Sequence, residues 1–308
     1  MVDVRKEAGR VLLCLGMAVA AAGLPFQSGA AQETAVGPPR GSLVIVGGAL
    51  RDPEIVRAFI QRAGGPDAPI VVVPTAGGGD DADYGEWCRC LGQLRAQGAT
   101  NLTVLHTYDP EVADTEAFAE PLREARGVWF TGGRQWRLAD SYLGTRTEEA
   151  FQSVLDRGGV IGGSSAGASI QGSYLARGDT RTNTVMMGDH EVGFGYLRDT
   201  AIDQHLLARN RQFDMLEIVE ARPELLGIGI DEDTAILVDG DRFEVMGRGY
   251  VAIYDAGSRV RDGGPFYFLR DGDRFDLSTR TPARPGSSFG PLDRFERIGG
   301  STGNGGGR

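Results

Sequence analysis

Four stretches of this chain share one form: a short apolar run followed at once by glycines. They are SLVIVGG (42–48), IVVVPTAGGG (70–79), GVWFTGG (127–133) and VIGGSSAG (160–167). A strand with one wet face alternates apolar and polar residues, whereas a strand apolar throughout is covered on both faces. Segments with apolar residues at helical spacing lie between them: DPEIVRAFIQRAGG (52–65), with a Gly-Gly stop, RQWRLADSYLG (134–144) and TEEAFQSVLDRGG (147–159). A further helix is expected over Asp80–Gly98, and NLTVLHTY (101–108) reads as another strand. Buried strands alternating with helices predict an α/β fold, a mostly parallel sheet with helices on both faces. Ligands bind such sheets beyond the carboxyl ends of the strands. The glycine loops of this half all fall there.

After Asp203, HLLARNRQFDMLEIVEARP (205–223) reads as a helix and LLGIGIDEDTAILV (225–238) as a strand region. RFEVMGRGYVAIYDA and GPFYFLRDGDRFDL look like strands and hairpins with DGD turns, a β-rich part from about residue 234. Residues 41–298 are read as one domain, 32–40 as a linker, and the glycine-rich tail 299–308 as disordered. At 41% hydrophobic and 24% charged residues, the chain affords a sizeable core. Its formal net charge of -10 argues against nucleic acid or an anionic membrane as the main partner.

Residues 1–31 read as a secretory signal: Arg5, Lys6 and Arg10, then the apolar run VLLCLGMAVAAAGL, then small residues. Cleavage is expected near Ala30 or Ala31, with export to the periplasm or beyond and no membrane anchor in the mature form. Cys88 and Cys90 then remain, in WCRC. They are half a zinc site at best, and a bridge across one residue is strained, so two thiols are expected. Lys6 is the sole lysine. The mature chain therefore has no lysine for a Schiff base or a Ser-Lys dyad, and its cationic chemistry falls to arginine.

Gly163-Ser164-Ser165-Ala166-Gly167 fits G-x-S-x-G, the elbow that sets a serine on a sharp strand-to-helix turn. The pattern alone leaves a structural turn open. A serine needs a base, and the histidines are His106, His190 and His205. His106 reads as structural. Position favours His205, at a strand–helix junction that Asp203 could cap, over His190 in a polar loop. Asp231-Glu232-Asp233 sits between apolar runs, where Glu232 or a neighbour could orient an imidazole, or the three could simply form a turn and a cap. Oxyanion donors would be the Ala166 N–H and that of Gly132 or Gly133.

FTGGRQ, GGSSAGAS, DQHLLARNR and GIGIDEDTA, in this order over roughly Gly41–Val238, together resemble the cyanophycinases and aspartyl dipeptidases, a serine peptidase family. The resemblance implies a flavodoxin-like fold related to class I glutamine amidotransferases. It implies Ser165 as nucleophile, His205 as base and Glu232 as acid, with Gln135, Asp203, Gln204, Arg209 and Arg211 at the substrate. Its substrate, cyanophycin, is a poly-aspartate backbone bearing arginine on each β-carboxyl, from which β-Asp-Arg dipeptides are released. Two positions depart from the pattern: Asp214 stands where a third arginine is expected, and Arg134 where an acid is frequent. A substrate carboxylate deprived of one charge-assisted contact would lose about 1.5–3 kcal/mol.

The expected function is thus an exported serine peptidase acting on a peptide or polyamide, with no cofactor, no metal, and a homodimer left open. The alternatives are an aspartyl or isoaspartyl exopeptidase that does not use cyanophycin, or an exported peptide-binding protein without turnover.

Overall fold

The computed structural model describes residues 35–85, 88–257 and 264–284, all within the compact unit Thr34–Arg308. The expected signal segment and tail lie outside the described residues. The second half of the expected linker is tied down. The Val36 and Gly37 N–H groups donate to Asp241 Oδ1 at 2.7 and 2.8 Å.

The chain begins β1 (Ser42–Val46), α1 (Pro53–Ala63), β2 (Ile70–Val73), α2 (Gly92–Ala96) and β3 (Leu102–Val104). Two helical turns, α3 (Pro110–Ala113) and α4 (Glu116–Ala119), lead to β4 (Gly127–Phe130), α5 (Gln135–Tyr142), α6 (Arg146–Asp156) and β5 (Val160–Ser164). The five strands are parallel, in spatial order β1-β5-β4-β2-β3. Their apolar runs are covered on both faces, as expected. Val44 and Val46 pack with Phe59, Ile60 and Ala63 of α1. Leu43 and Ile45, pointing the other way, pack with Phe151, Val154 and Leu155 of α6. Asp52 caps α1 by accepting from the Glu54 N–H, and Gly64 closes it at φ 113°.

After β5 come α7 (Ala166–Ser169), β6 (Gly172–Tyr174), β7 (Leu197–Gln204), α8 (Met215–Ala221) and β8 (Leu226–Ile230). Six strands follow: β9 (Thr234–Asp239), β10 (Arg242–Gly247), β11 (Tyr250–Asp255), β12 (Tyr267–Arg270), β13 (Arg274–Asp276) and β14 (Thr281–Ala283). They do not all join the first sheet. β9, β10, β13 and β14 extend it antiparallel beyond β1, giving nine strands. β11 and β12 instead join a second, five-stranded sheet ordered β12-β11-β8-β7-β6, in which β6, β7 and β8 are parallel.

Two expected helices are cut short, and the helix that follows the G-x-S-x-G turn is brief. Over Asp80–Gly98 the chain forms 3-10 turns and only the five-residue α2. After the G-x-S-x-G turn, α7 lasts four residues before the chain extends into β6. Gly167 and Gly172 weaken a helix there, and Ile170, Gly172 and Ser173 carbonyls accept from Phe194, Gly195 and Gly193 instead. After His205 a turn intervenes, with Asn210 at φ 53°, and α8 starts only at Met215. A left-handed residue ends any α-helix that reaches it.

Candidate active site

The register Val46↔Ser164 brings the ends of β1 and β5 level, and Ser165 follows at φ 58° and ψ -113°. A serine at positive φ is strained, and glycines let the turn close around it. A Cβ at Gly163 would meet the Gly167 carbonyl oxygen at 2.4 Å, and one at Gly167 the Phe130 oxygen at 2.2 Å. The two glycines of the motif are therefore structural requirements of the turn.

His205 follows β7 and also has positive φ, 55°. Two successive carbonyls at the end of β1 hold both turns: Val46 accepts from the Ser165 N–H at 3.0 Å, Gly47 from the His205 N–H at 2.8 Å. Gly48 comes close enough to the imidazole that a Cβ there would lie 2.2 Å from Cε1. The ring is 2.8 Å through Nε2 from Ser165 Oγ and 2.6 Å through Nδ1 from Glu232 Oε1. His190 lies elsewhere, bonded to Asp140 at 2.6 Å. His106 bonds Thr75 at 2.8 Å between Tyr84 and Tyr108.

The three acids after β8 divide the work. Glu232 reaches the imidazole. Asp231 accepts from the Leu207 and Ala208 N–H groups, both at 3.0 Å, capping the turn after His205. Asp233 accepts from Arg51 and Asp52 N–H groups at 2.7 and 2.6 Å, tying down the loop after β1. The expected cap on the His205 turn is thus Asp231, not Asp203. Burial pushes the His205 imidazolium below its ordinary pKa, against the opposing pull of the Glu232 hydrogen bond; Arg209 and Arg211 push in the same direction as burial. The imidazole is therefore neutral at neutral pH and able to accept a proton.

Ser165 and His205 open on a cavity of about 490 Å³ that Thr131, Gly132, Trp129 and Leu50 also line. Gly132 stands across from the serine, its Cβ position 3.8 Å from Ser165 Oγ. Gly133 has φ 147° and packs on Ala76, whose oxygen a Cβ would meet at 1.9 Å. Ala166 opens α7, so its N–H has no acceptor within the helix. Among the described residues no three His, Cys, Asp or Glu side chains converge as a metal site.

The model of peptidase family S51 matches residues 43–246. The chain belongs to peptidase family S51. Over 264 residues this S51 peptidase is 30% identical to the cyanophycinase of Geminocystis herdmanii, covering 79% of this chain and 96% of the relative. Over 268 residues it is 32% identical to the cyanophycinase of Synechococcus elongatus, covering 78% and 80%. A solved peptidase from an acI-B1 Actinobacterium superposes with a TM-score of 0.59 at 23% identity, over 78% of this chain and 98% of that one. The chain is thus a cyanophycinase-like, serine-type peptidase on a flavodoxin-like fold.

Several residues expected at the substrate are engaged within this S51 peptidase itself. Asp203 is fully buried and takes Arg177 in a two-pronged ion pair, Nε to Oδ1 at 2.7 Å and the terminal nitrogen to Oδ2 at 3.0 Å. Asp214 binds the same guanidinium at 2.5 Å. Burial opposes the Arg177 charge, but the two carboxylates outweigh it and raise its pKa. Gln135 is buried and donates to the Ala176 and Arg177 carbonyls at 2.7 and 2.9 Å. Arg211 donates to the Gln204 backbone oxygen at 3.1 Å and side-chain oxygen at 2.9 Å; burial, then Arg177 beside it, brings it down to about 10. Arg209 is exposed. Arg134 donates to the Asp179 and Thr182 carbonyls at 2.5 and 2.6 Å, holding that loop. Arg177 was missed by the sequence reading. A buried arginine beside two acids has no local spacing signature.

Cys88 and Cys90 are joined as a disulfide, not left as thiols. Their Cα atoms are 5.1 Å apart, within the ordinary range for a bridge. The 3-10 turn that starts at Arg89 brings the two together across a single residue.

Proposed function

We propose that this S51 peptidase cleaves amide bonds with Ser165 as nucleophile, His205 as base and Glu232 as its orienting acid. The carrying observation is the continuous chain of hydrogen bonds, Ser165 Oγ to His205 Nε2 at 2.8 Å and His205 Nδ1 to Glu232 Oε1 at 2.6 Å. The Ser165 O–H donates to Nε2, and the Nδ1–H donates to the carboxylate. As Oγ attacks the scissile carbonyl, its proton passes to Nε2, and Glu232 stabilises the imidazolium. The Ala166 and Gly133 N–H groups are the proposed donors to the oxyanion. The imidazolium then protonates the leaving amine, leaving an ester on Ser165. Water, deprotonated by His205, attacks that ester and releases the acid product.

The proposed substrate class is cyanophycin-type polyamide, cleaved to β-Asp-Arg-type dipeptides. The internal engagement of Asp203, Gln135 and Arg211, together with Asp214, favours a second reading: an exopeptidase of α- or β-aspartyl peptides. We also propose export, on the order of charges, apolar run and small residues in 1–31; fractionation of cells expressing the full chain tests it.

Purified protein and its Ser165→Ala variant, assayed on cyanophycin and on α- and β-aspartyl dipeptides, decide the chemistry and the substrate. Activity that survives in the variant, or a wild type inert on the whole panel, would overturn the reading.

A further inference from the structure

The cavity beside Ser165 has a wall that none of the expected substrate residues forms. It consists of Ala49, Leu50 and Arg51 from the loop after β1, Arg89 and Cys90 from the loop after β2, and Gln93 of α2. The chain as a whole is acidic, with 42 Asp and Glu against 32 Lys and Arg. Among the described residues, the lining of this cavity nevertheless carries two arginines and no carboxylate. Both guanidiniums belong to exposed residues. Among the described residues neither has an acidic partner.

The wall is built, not loose. Arg51 has its own N–H bonded to Asp233, the residue after Glu232, while Asp233 donates its N–H to Gly48 beside the imidazole. Arg89 is the residue enclosed between the bridged Cys88 and Cys90. Gln93 Nε2 donates to the Leu50 carbonyl at 2.6 Å and joins the two loops. Two guanidiniums with no acidic partner among the described residues are thereby presented on backbones fixed relative to Ser165, an arrangement suited to holding a carboxylate. The arginines expected at the substrate after His205 are depleted. Arg211 is turned inward onto Gln204, and Asp214 is paired with Arg177.

We propose that Arg51 and Arg89 form an anion subsite that binds a substrate carboxylate flanking the scissile amide, and so set this peptidase's preference for acidic peptides. The inference rests on Ser165 being the reacting group, and its test is one of binding. Ser165→Ala protein is titrated by calorimetry with β-Asp-Arg and with the same dipeptide amidated at one carboxylate or the other. One amidation is expected to weaken binding about 10-fold or more, the loss of a charge-assisted contact. In Ser165→Ala proteins also carrying Arg51→Gln or Arg89→Gln, that penalty is expected to shrink towards unity. Thermal melts of each variant show that it is folded. Equal penalties in all three backgrounds, or no binding of any form, overturn the subsite. Hydrolysis by the wild type is scored separately. Turnover of cyanophycin or of an aspartyl dipeptide with unchanged penalties leaves Ser165 as nucleophile and removes the subsite; the expected penalties with a wild type inert on that whole panel keep the anion site and remove Ser165 as nucleophile.

Discussion

Replacing Gly48 by alanine adds one methyl group directly against the His205 ring. A Cβ there would stand 2.2 Å from His205 Cε1 and 2.7 Å from each ring nitrogen. To regain ordinary van der Waals distance the ring must retreat by more than 1 Å. It has no slack for this, because its backbone N–H is bonded to Gly47, Nε2 to Ser165 and Nδ1 to Glu232. A displacement of about 1 Å in a reacting group costs on the order of 100-fold in rate. Gly48→Ala is therefore expected to lower kcat/KM about 100-fold. Its φ of 121° adds backbone strain of about 1–3 kcal/mol, which a thermal melt reads as a drop of several degrees. Gly65→Ala separates the two effects. Gly65 has φ 104° but nothing within 4 Å of its Cβ position, so it should lose melting temperature and keep full activity. The reasoning is refuted if folded Gly48→Ala protein cleaves substrate within about threefold of wild type.

Three further outcomes follow from the same geometry. Glu232→Gln keeps the shape but removes the charge that stabilises the imidazolium, so kcat should fall at least about 100-fold with KM little changed; an equal change in both would argue against an orienting role. Because burial holds His205 below the ordinary imidazole pKa, kcat/KM should stay level as pH falls to 6.5 and drop only below it. An acid limb at or above 6.5 would contradict that. Stability moves the same way. The unfolded histidine takes up a proton near 6.5 while the folded one resists, so this group's contribution diminishes as pH falls from there towards the depressed folded value. Arg177→Met strands the fully buried Asp203 carboxylate and should destabilise the protein by about 3–5 kcal/mol in a denaturant titration; a loss under about 1 kcal/mol would mean that the pair is not buried in solution.

The sheet was legible because its signal is local. Strands β1, β2, β4 and β5 are apolar at nearly every position, and the glycines after them mark the edge at which Ser165 stands. The failures came where distant contacts outweighed local preference. The run from Gly167 to Arg177 has helix-compatible residues, but carbonyls of Ile170, Gly172 and Ser173 find partners more than 15 residues away in sequence, at Gly193 to Gly195, and its middle becomes the strand β6. No spacing rule foretells such a pairing. The division of β10 and β11 between two sheets is equally non-local: the two strands adjoin in sequence, yet β10 pairs with β9 and β11 with β8.

Ser165, His205 and Glu232, which the structure joins by hydrogen bonds, could be singled out in the sequence but the residues that support them could not, and the difference has a physical cause. Ser165, His205 and Glu232 are residue types with chemistry of their own, so their presence at strand ends is informative. Gly47 and Gly48 act through their carbonyls and through the side chain they lack, and Asp231 and Asp233 through backbone amides they hold. Positive φ marks the result. Of eight non-glycine residues in that region among those described, Ala49, Ser165, His205 and Asp233 lie at or beside the cavity. Strain of this kind persists only where surrounding bonds enforce it, and here three of the four are held by a backbone hydrogen bond to the end of β1 or the glycines after it: Ser165 to Val46, His205 to Gly47, Asp233 to Gly48. The first strand, which carries none of the three side chains proposed to react, is therefore the element that fixes their separation. Substitutions at its carboxyl end should change turnover before they change the fold.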